Sequence, residues 1–257
     1  PATSATVQQL LGLSCGAFDV NAACSGFAYA LVQGHGMIAM GAKKVLVIGT
    51  DTLSRITDWT DRNTAVLFAD GSGAVVLEAS SGRGQLLGWD LDADGSAEKY
   101  LYAELGGTIQ MEGKEVFRRA VRIMVDSATK SMNHAGVTAD QIALVVPHQA
   151  NVRIIEALAK FARLPMEKVF LTVQRYANMS AATVPVALPL MVVVRSPVKI
   201  PQKWTALVLT LPGTLRRTLL LRGLPQNVKC KSPMQLVLHV RSLSWWKPLE
   251  LRKWLMN

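Results

Sequence analysis

Asp19-Val20-Asn21-Ala22-Ala23-Cys24-Ser25-Gly26-Phe27 is the stretch whose reading decides the fold. The short apolar run Ala17 to Val20 reads as a strand, and a helix-like stretch runs from Cys24 to about Met40. A strand that passes through small residues straight into a helix is the joint from which α/β layers are built. The same joint puts a cysteine at or near a helix N-terminus. Unpaired backbone N–H groups and the positive end of the helix dipole favour the thiolate there. Small neighbours on both sides leave room for a carbonyl carbon to approach the sulfur. A lone cysteine is more often a small buried hydrophobe, so the rest of the chain has to weigh the two readings. Cys15, in a loop before the strand, and Cys230 have no such setting and read as inert.

On either side of this joint, strand-like and helix-like segments alternate. Lys44 to Gly49 has the continuous β-branched character of a strand buried on both faces. Thr64 to Phe68 and Gly73 to Leu77 predict two more strands, parted by an Asp70-Gly71 turn signal. Gly71-Ser72-Gly73 reads as a turn and close-packing device rather than a phosphate loop. Gln85 to Leu91 predicts another strand. Phe117, Val121, Met124, Val125 and Ala128 recur at helical spacing, which predicts an amphipathic helix over Gly113 to Met132. Ile142 to Val146 predicts a buried strand, Asn151 to Arg163 a helix, and Val169 to Val173 a closing strand.

Half of the 257 residues are apolar, enough for a buried core and too many for a disordered chain. No run of eighteen apolar residues occurs, which argues against a bilayer-spanning helix, and residue 1 follows no signal-peptide pattern. Three cysteines do not suggest a disulfide framework, so a cytoplasmic setting is expected. The net charge of +10 would suit a nucleic-acid partner if it formed a patch on a folded module. It does not. Residues 189–257 carry twelve Lys or Arg against one acid, whereas the preceding 188 residues carry sixteen against seventeen. Seven of the eleven prolines and four of the six tryptophans also fall in this tail. Pro189, Pro197, Pro201, Pro212, Pro225, Pro233 and Pro248 break every candidate helix or central strand. The tail is therefore expected not to supply the domain's closing strands, and nucleic acid is not an expected partner.

His148 ends an apolar strand and precedes a helix, where side chains emerge at the mouth of an α/β sheet. A satisfied loop histidine is the plainer account; His35, His134 and His239 lack even that setting. Asn178 lies in a small-residue loop, and a turn-forming asparagine explains it equally well. His, Cys and acidic residues show no metal-ligand spacing.

The Asp19–Phe27 segment resembles the active-site elbow of the β-ketoacyl-ACP synthase III family. Six further blocks follow in that family's order: Gly49-Thr50-Asp51, Asp58 to Thr64, Phe68 to Ala74, Met111 to Phe117, Pro147-His148-Gln149-Ala150-Asn151, and Asn178 to Ala182. The resemblance implies an α/β fold of the thiolase-like, layered αβαβα kind, incomplete at the N-terminus. It implies one half over 1–84 carrying Cys24, a second over 85–188 carrying His148 and Asn178, and an atypical basic tail over 189–257.

The implied chemistry is acyl transfer from acyl-CoA to Cys24, then condensation with malonyl-acyl carrier protein to begin fatty-acid synthesis. His148 and Asn178 would donate to the enolate formed on decarboxylation. Arg62 would pack on the adenine end of coenzyme A, and Gly113, Phe117, Ala150 and Asn151 would line the pantetheine tunnel. Leu67 and Phe68 would bound the starter pocket, and Arg118, Arg153 and Lys160 would meet the acidic carrier protein. Arg163 shares the helix face of Arg153 and Lys160, and Arg119 and Arg122 extend the set on the long helix. Acyl-CoA is a substrate here, with no further cofactor or metal; a homodimer and no membrane partner are implied. The alternatives are a polyketide or hydroxymethylglutaryl condensing enzyme on the same fold, or a non-catalytic acyl- or carrier-protein-binding module. The sequence departs from the family at two further places, the first minor and the second the one that favours the binding module. Ala69 replaces a usual glycine, and the tail offers only Leu211-Pro212-Gly213-Thr214 in place of the family's closing glycine-rich loop.

Overall fold

The computed structural model describes residues 2–79 and 86–193, with side chains as far as 188, and the backbone of 206–210, 218–220 and 234–241. In chain order the helices are α1 (Thr3–Leu10), α2 (Gly26–Ala39), α3 (Arg62–Ala65), α4 (Gly113–Ala135), α5 (Val152–Phe161), α6 (Val173–Tyr176) and α7 (Thr183–Val193). The strands are β1 (Ala17–Val20), β2 (Lys44–Thr52), β3 (Asp70–Glu78), β4 (Leu101–Tyr102), β5 (Gln110–Met111), β6 (Ala206–Thr210), β7 (Thr218–Leu220) and β8 (Met234–Arg241).

Contacts gather the chain into two compact units: Pro1–Thr52 with Asp70–Gly84 and Ala181–Asn257, and Leu53–Ala69 with Gln85–Ser180. They cut across the contiguous division at residue 84. Leu53–Ala69 joins the second unit because the Asn178 N–H donates to the Leu67 carbonyl and the Ala69 N–H to the Asn178 carbonyl, both at 2.9 Å. The chain after Ser180 joins the first because α7 packs on β2 and β3.

The first unit is a six-stranded sheet in the order β1-β8-β2-β3-β6-β7. Strand β2 is buried along nearly its whole length, as its β-branched run predicts. Val45 and Val47 face a cluster that includes Val20, Phe27, Ala30, Val75 and Ala181. Leu46 and Ile48 face the other side, with Ala74 and the half-buried Val7, Cys15 and Ala17. Each such fully buried aliphatic side chain contributes roughly 1.5–3 kcal/mol. Cys15 is packed against this sheet.

The Asp70-Gly71 pair is not a turn. β2 offers a full-length antiparallel ladder, and Asp70 and Gly71 take their places in it opposite Thr52 and Asp51. The close-packing half of that reading holds. Gly49 and Gly73 face each other across β2 and β3. A Cβ on Gly49 would lie 2.5 Å from the Ala181 carbonyl oxygen, and one on Gly73 would lie 2.7 Å from the Val186 nitrogen. Two bare backbones thus let Ala181 and the start of α7 lie directly on the sheet. Gly73→Ala should cost about 1–3 kcal/mol by overpacking, read as a lower unfolding midpoint; an unchanged midpoint would contradict this packing.

The tail departs from expectation. β8 lies inside the sheet, parallel to both β1 and β2, and β6 pairs antiparallel with β3. The reason is legible afterwards: Met234–Arg241 and Ala206–Thr210 contain no proline, and Pro212, Pro225 and Pro233 fall between the strands. Helix α7 likewise runs on through Pro189 to Val193. Proline removes one N–H donor and crowds the preceding turn; burial of Val186 and Ala187, both 0 % exposed, offsets that loss. The Arg216-Arg217 pair, Leu211 to Thr214 and Cys230 lie outside the described residues.

In the second unit several predicted strands give way to local capping. Thr64 to Phe68 is not a strand: Asp61 accepts the Asn63 N–H at 3.0 Å and the Thr64 hydroxyl at 2.7 Å, which starts α3 at Arg62. Ile142 to Val146 and Val169 to Val173 share a single parallel bridge, Val145 with Val169, before the chain turns into α6. From Leu86 to Asp90 the chain forms no strand. Gly88 instead lies against the backbone of α4 at Ser131 and Ala135. The long helix α4 forms as predicted and stops at Gly136, whose φ of +66 is the left-handed C-terminal cap glycine favours. Helix α5 buries Ile155 and Ala159 against Val169. It ends at Phe161, so Arg163, at φ +54, is beyond the helix and off the Arg153–Lys160 face.

Candidate active site

The Cys24 thiol sits between β1 and α2 in a single turn of 3-10 helix, Ala23–Ser25, and is half-buried. The turn is tight. The Ser25 N–H donates to the Ala22 carbonyl at 3.0 Å, and Ala23 adopts φ +46, a region that costs an L-residue of order 1–3 kcal/mol. Ser25 makes no side-chain capping bond to α2. A strained strand-to-helix turn with the nucleophile just ahead of the helix brings those N–H groups and the helix dipole to bear on sulfur.

Non-glycine residues at positive φ are few among the described residues: Ala23, Arg163, Ala177 and Ser180. Three of the four flank Cys24 or Asn178. Strain held in the backbone gathers where surrounding structure imposes a functional geometry.

Asn178 is 7 % exposed and fixed on both sides of its Cα. Its backbone bridges to Phe68 in a parallel arrangement, through the bonds to Leu67 and Ala69 already described. Its Oδ1 accepts the Ser180 N–H at 2.9 Å. That bond engages the carbonyl end of the amide and turns the Nδ2 donors the opposite way. The asparagine thus forms a turn, as the plainer reading had it, with the carbonyl end of its amide engaged. Leu67 and Phe68 are brought beside it.

His148 is half-buried between two buried neighbours, Pro147 and Gln149, at the end of the segment that bridges Val169. Three residues on, Asn151 caps α5, its Oδ1 accepting the Arg153 N–H at 2.9 Å. Cys24 belongs to the first unit, His148 and Asn178 to the second.

Arg62 is exposed at the start of α3, in a loop tied by Asp58 and Asp61. The Thr64 hydroxyl holds the Asp61 carboxyl below the usual carboxylate range, and the Thr60 hydroxyl does the same for Asp58. Gly113 and Phe117 lie exposed on the first turns of α4, and Ala150 is half-buried next to Gln149.

The arginines of α4 are ion-paired: Arg118 with Glu115 at 2.7 Å, Arg119 with Asp94 at 3.0 Å, Arg122 with Asp126 at 3.8 Å. The Arg118 guanidinium holds the Glu115 carboxyl below its ordinary value. Arg153 and Lys160 are exposed on one face of α5. Sequence reasoning passed over Gln149, a fully buried amide whose neighbours drew all the notice; a polar side chain between two apolar strand ends was the available signal.

Comparison with known proteins gives a consistent answer. A model described as 3-oxoacyl-[acyl-carrier-protein] synthase III matches residues 18–95, and that of its C-terminal part matches 132–199. The chain is similar to the β-ketoacyl-[acyl-carrier-protein] synthase III of Paracoccus denitrificans, 48 % identical over 202 residues that span 73 % of this chain and 62 % of that protein. The crystal structure of 3-oxoacyl-[acyl-carrier-protein] synthase III from Aquifex aeolicus is 47 % identical, with a TM-score of 0.73, over 75 % of this chain and 63 % of that one. That from Pseudomonas aeruginosa is 39 % identical with a TM-score of 0.73, over 75 % and 63 % respectively. The chain thus spans somewhat under two thirds of the relatives it matches. With the elbow at Cys24, the α/β layers and these matches together, the chain belongs to the β-ketoacyl-acyl carrier protein synthase III family and has its thiolase-like fold.

Proposed function

We propose that this chain carries the chemistry of an acyltransferase that condenses an acyl-CoA starter with malonyl-acyl carrier protein. The Cys24 thiolate attacks the thioester carbonyl of acyl-CoA, the coenzyme A thiol leaves, and an acyl-enzyme forms. Malonyl-acyl carrier protein then loses its terminal carboxylate as carbon dioxide. The electron pair left behind becomes an enolate, whose oxygen accepts hydrogen bonds from His148 Nε2–H and Asn178 Nδ2. The enolate carbon attacks the acyl carbonyl, the Cys24 thiolate departs, and β-ketoacyl-acyl carrier protein is the product. The steps need no metal and no cofactor beyond the thioester substrates.

The observation that carries this reading is the seat of Cys24, a strained turn opening a helix in a chain of this family. Arg62, Gly113, Phe117, Ala150 and Asn151 are proposed to hold coenzyme A, with Leu67 and Phe68 bounding the starter. For the carrier protein, exposed Arg153 and Lys160 make the stronger anchors, because Arg118 already shares its charge with Glu115. A homodimer and a cytoplasmic setting complete the proposal. Among the described residues no helix is long and apolar enough to cross a membrane.

Incubation with acetyl-CoA and malonyl-acyl carrier protein should yield acetoacetyl-acyl carrier protein and carbon dioxide, both followed by mass spectrometry. Neither acyl-enzyme nor condensed product would favour the non-catalytic binding module, and a larger branched product the hydroxymethylglutaryl reading.

A further inference from the structure

Gln149 is 0 % exposed and follows His148 directly. A glutamine amide has two donor hydrogens and an oxygen with two lone pairs. All four are engaged here. Nε2 donates to the Pro147 carbonyl at 2.9 Å and to the Phe170 carbonyl at 3.1 Å. Oε1 accepts the Thr172 N–H at 2.7 Å and the Val173 N–H at 3.1 Å. Its orientation is therefore determined: turning the amide over would set N–H against N–H and oxygen against oxygen.

The partners give these bonds their meaning. Pro147 immediately precedes His148. Thr172 and Val173 open α6, and Thr172 supplies no side-chain cap of its own. Gln149 provides that cap from across the chain. Helix α6 is a single turn ending at Tyr176, and the strained Ala177 then hands the chain to Asn178. One buried side chain thus grips the backbone on the near side of His148 and the start of the turn that delivers Asn178. From this we infer that Gln149 is a positioning residue, which holds the His148 and Asn178 donors in the mutual register that the enolate oxygen requires. The inference rests on the proposed roles of those two residues, and it adds a determinant that touches neither substrate nor reacting atoms.

Two replacements of similar length separate positioning from bulk stability. Gln149→Met removes every hydrogen bond. Gln149→Glu keeps an acceptor for Thr172 and Val173 but loses the Nε2 donors to Pro147 and Phe170, unless the introduced carboxyl takes up a proton. In the full chain, malonyl decarboxylation is expected to fall roughly 100-fold in both, the loss typical of a misplacement near 1 Å. Acylation of Cys24 by acetyl-CoA should change by less than about threefold, because that thiol is seated in the other unit. The Gln149→Glu loss should shrink as pH is lowered and one donor is restored, whereas the Gln149→Met loss should not.

A second readout does not depend on turnover. In both variants the His148 ring and Asn178 side-chain amide resonances should shift together, while the Cys24 amide stays in place. Loss of acylation in step with decarboxylation, or a shift at only one of the two donors, would overturn the inference. If the unsubstituted chain proved unable to decarboxylate malonyl-acyl carrier protein, the catalytic reading would fail. The joint resonance shift would still decide whether Gln149 sets the two side chains.

Discussion

Cys24→Ala is expected to abolish transfer of an acyl group to the protein and to lower condensation by about 10⁴-fold or more, the scale on which removing a covalent nucleophile acts. Among the described residues no other thiol is placed to take over. Cys15 packs beneath the sheet with Leu46 and Ile48, away from any helix start. Cys24 owes its proposed reactivity to a turn that cannot be reproduced elsewhere by sequence alone: Asn21 to Ala23 must leave β1, pass through φ +46 and enter α2 within a few residues. Decarboxylation of malonyl-acyl carrier protein, assigned to donors in the other unit, should survive the same substitution. An acyl adduct that persisted in Cys24→Ala would contradict the assignment.

His148→Ala and Asn178→Asp should have the complementary effect. Each removes a hydrogen-bond donor to the enolate oxygen, and one such donor is worth roughly 100- to 1000-fold in rate. The aspartate replacement is the cleaner test at residue 178. It keeps an oxygen for the Ser180 N–H, 2.9 Å away in the parent, and so spares the turn while taking away the amide donors. Acylation of Cys24 should remain within a few-fold of the parent in both. Because two donors to one atom act as a unit, the double variant should lose less than the product of the single losses. Rates of carbon dioxide release and of acyl-enzyme formation, measured separately, check the prediction; decarboxylation intact with acylation lost would reverse the roles.

β2 and the helices α2, α4 and α5 were legible from their apolar patterning, and the elbow from its small residues between strand and helix. Val45 to Ile48 could only be a strand buried on both faces, and Phe117 to Ala128 could only be a one-sided helix. What misled was side-chain capping, local at Asp61 and long-range at Gln149. Thr64 to Phe68 looks like a strand until Asp61 is seen capping a helix, and Val169 to Val173 does so until Gln149 is seen drawing Val173 into α6. Pro212, Pro225 and Pro233 were read as breaking strands that they in fact separate, and Pro189 as ending a helix that runs on through it. Of the candidate site, Cys24, His148 and Asn178 carried their signals in local motifs, supported by resemblance. Gln149 carried only a weak one, a polar residue at an apolar strand end, since three of its four partners lie more than twenty residues away.

The central claim is that Cys24 is the acyl acceptor. Incubating the chain with acetyl-CoA, digesting it and locating the added acetyl group by mass spectrometry tests it most directly. A single acetyl thioester on the peptide containing Cys24 is the expected result. Acetylation of Cys15 or Cys230 with Cys24 unmodified would contradict it.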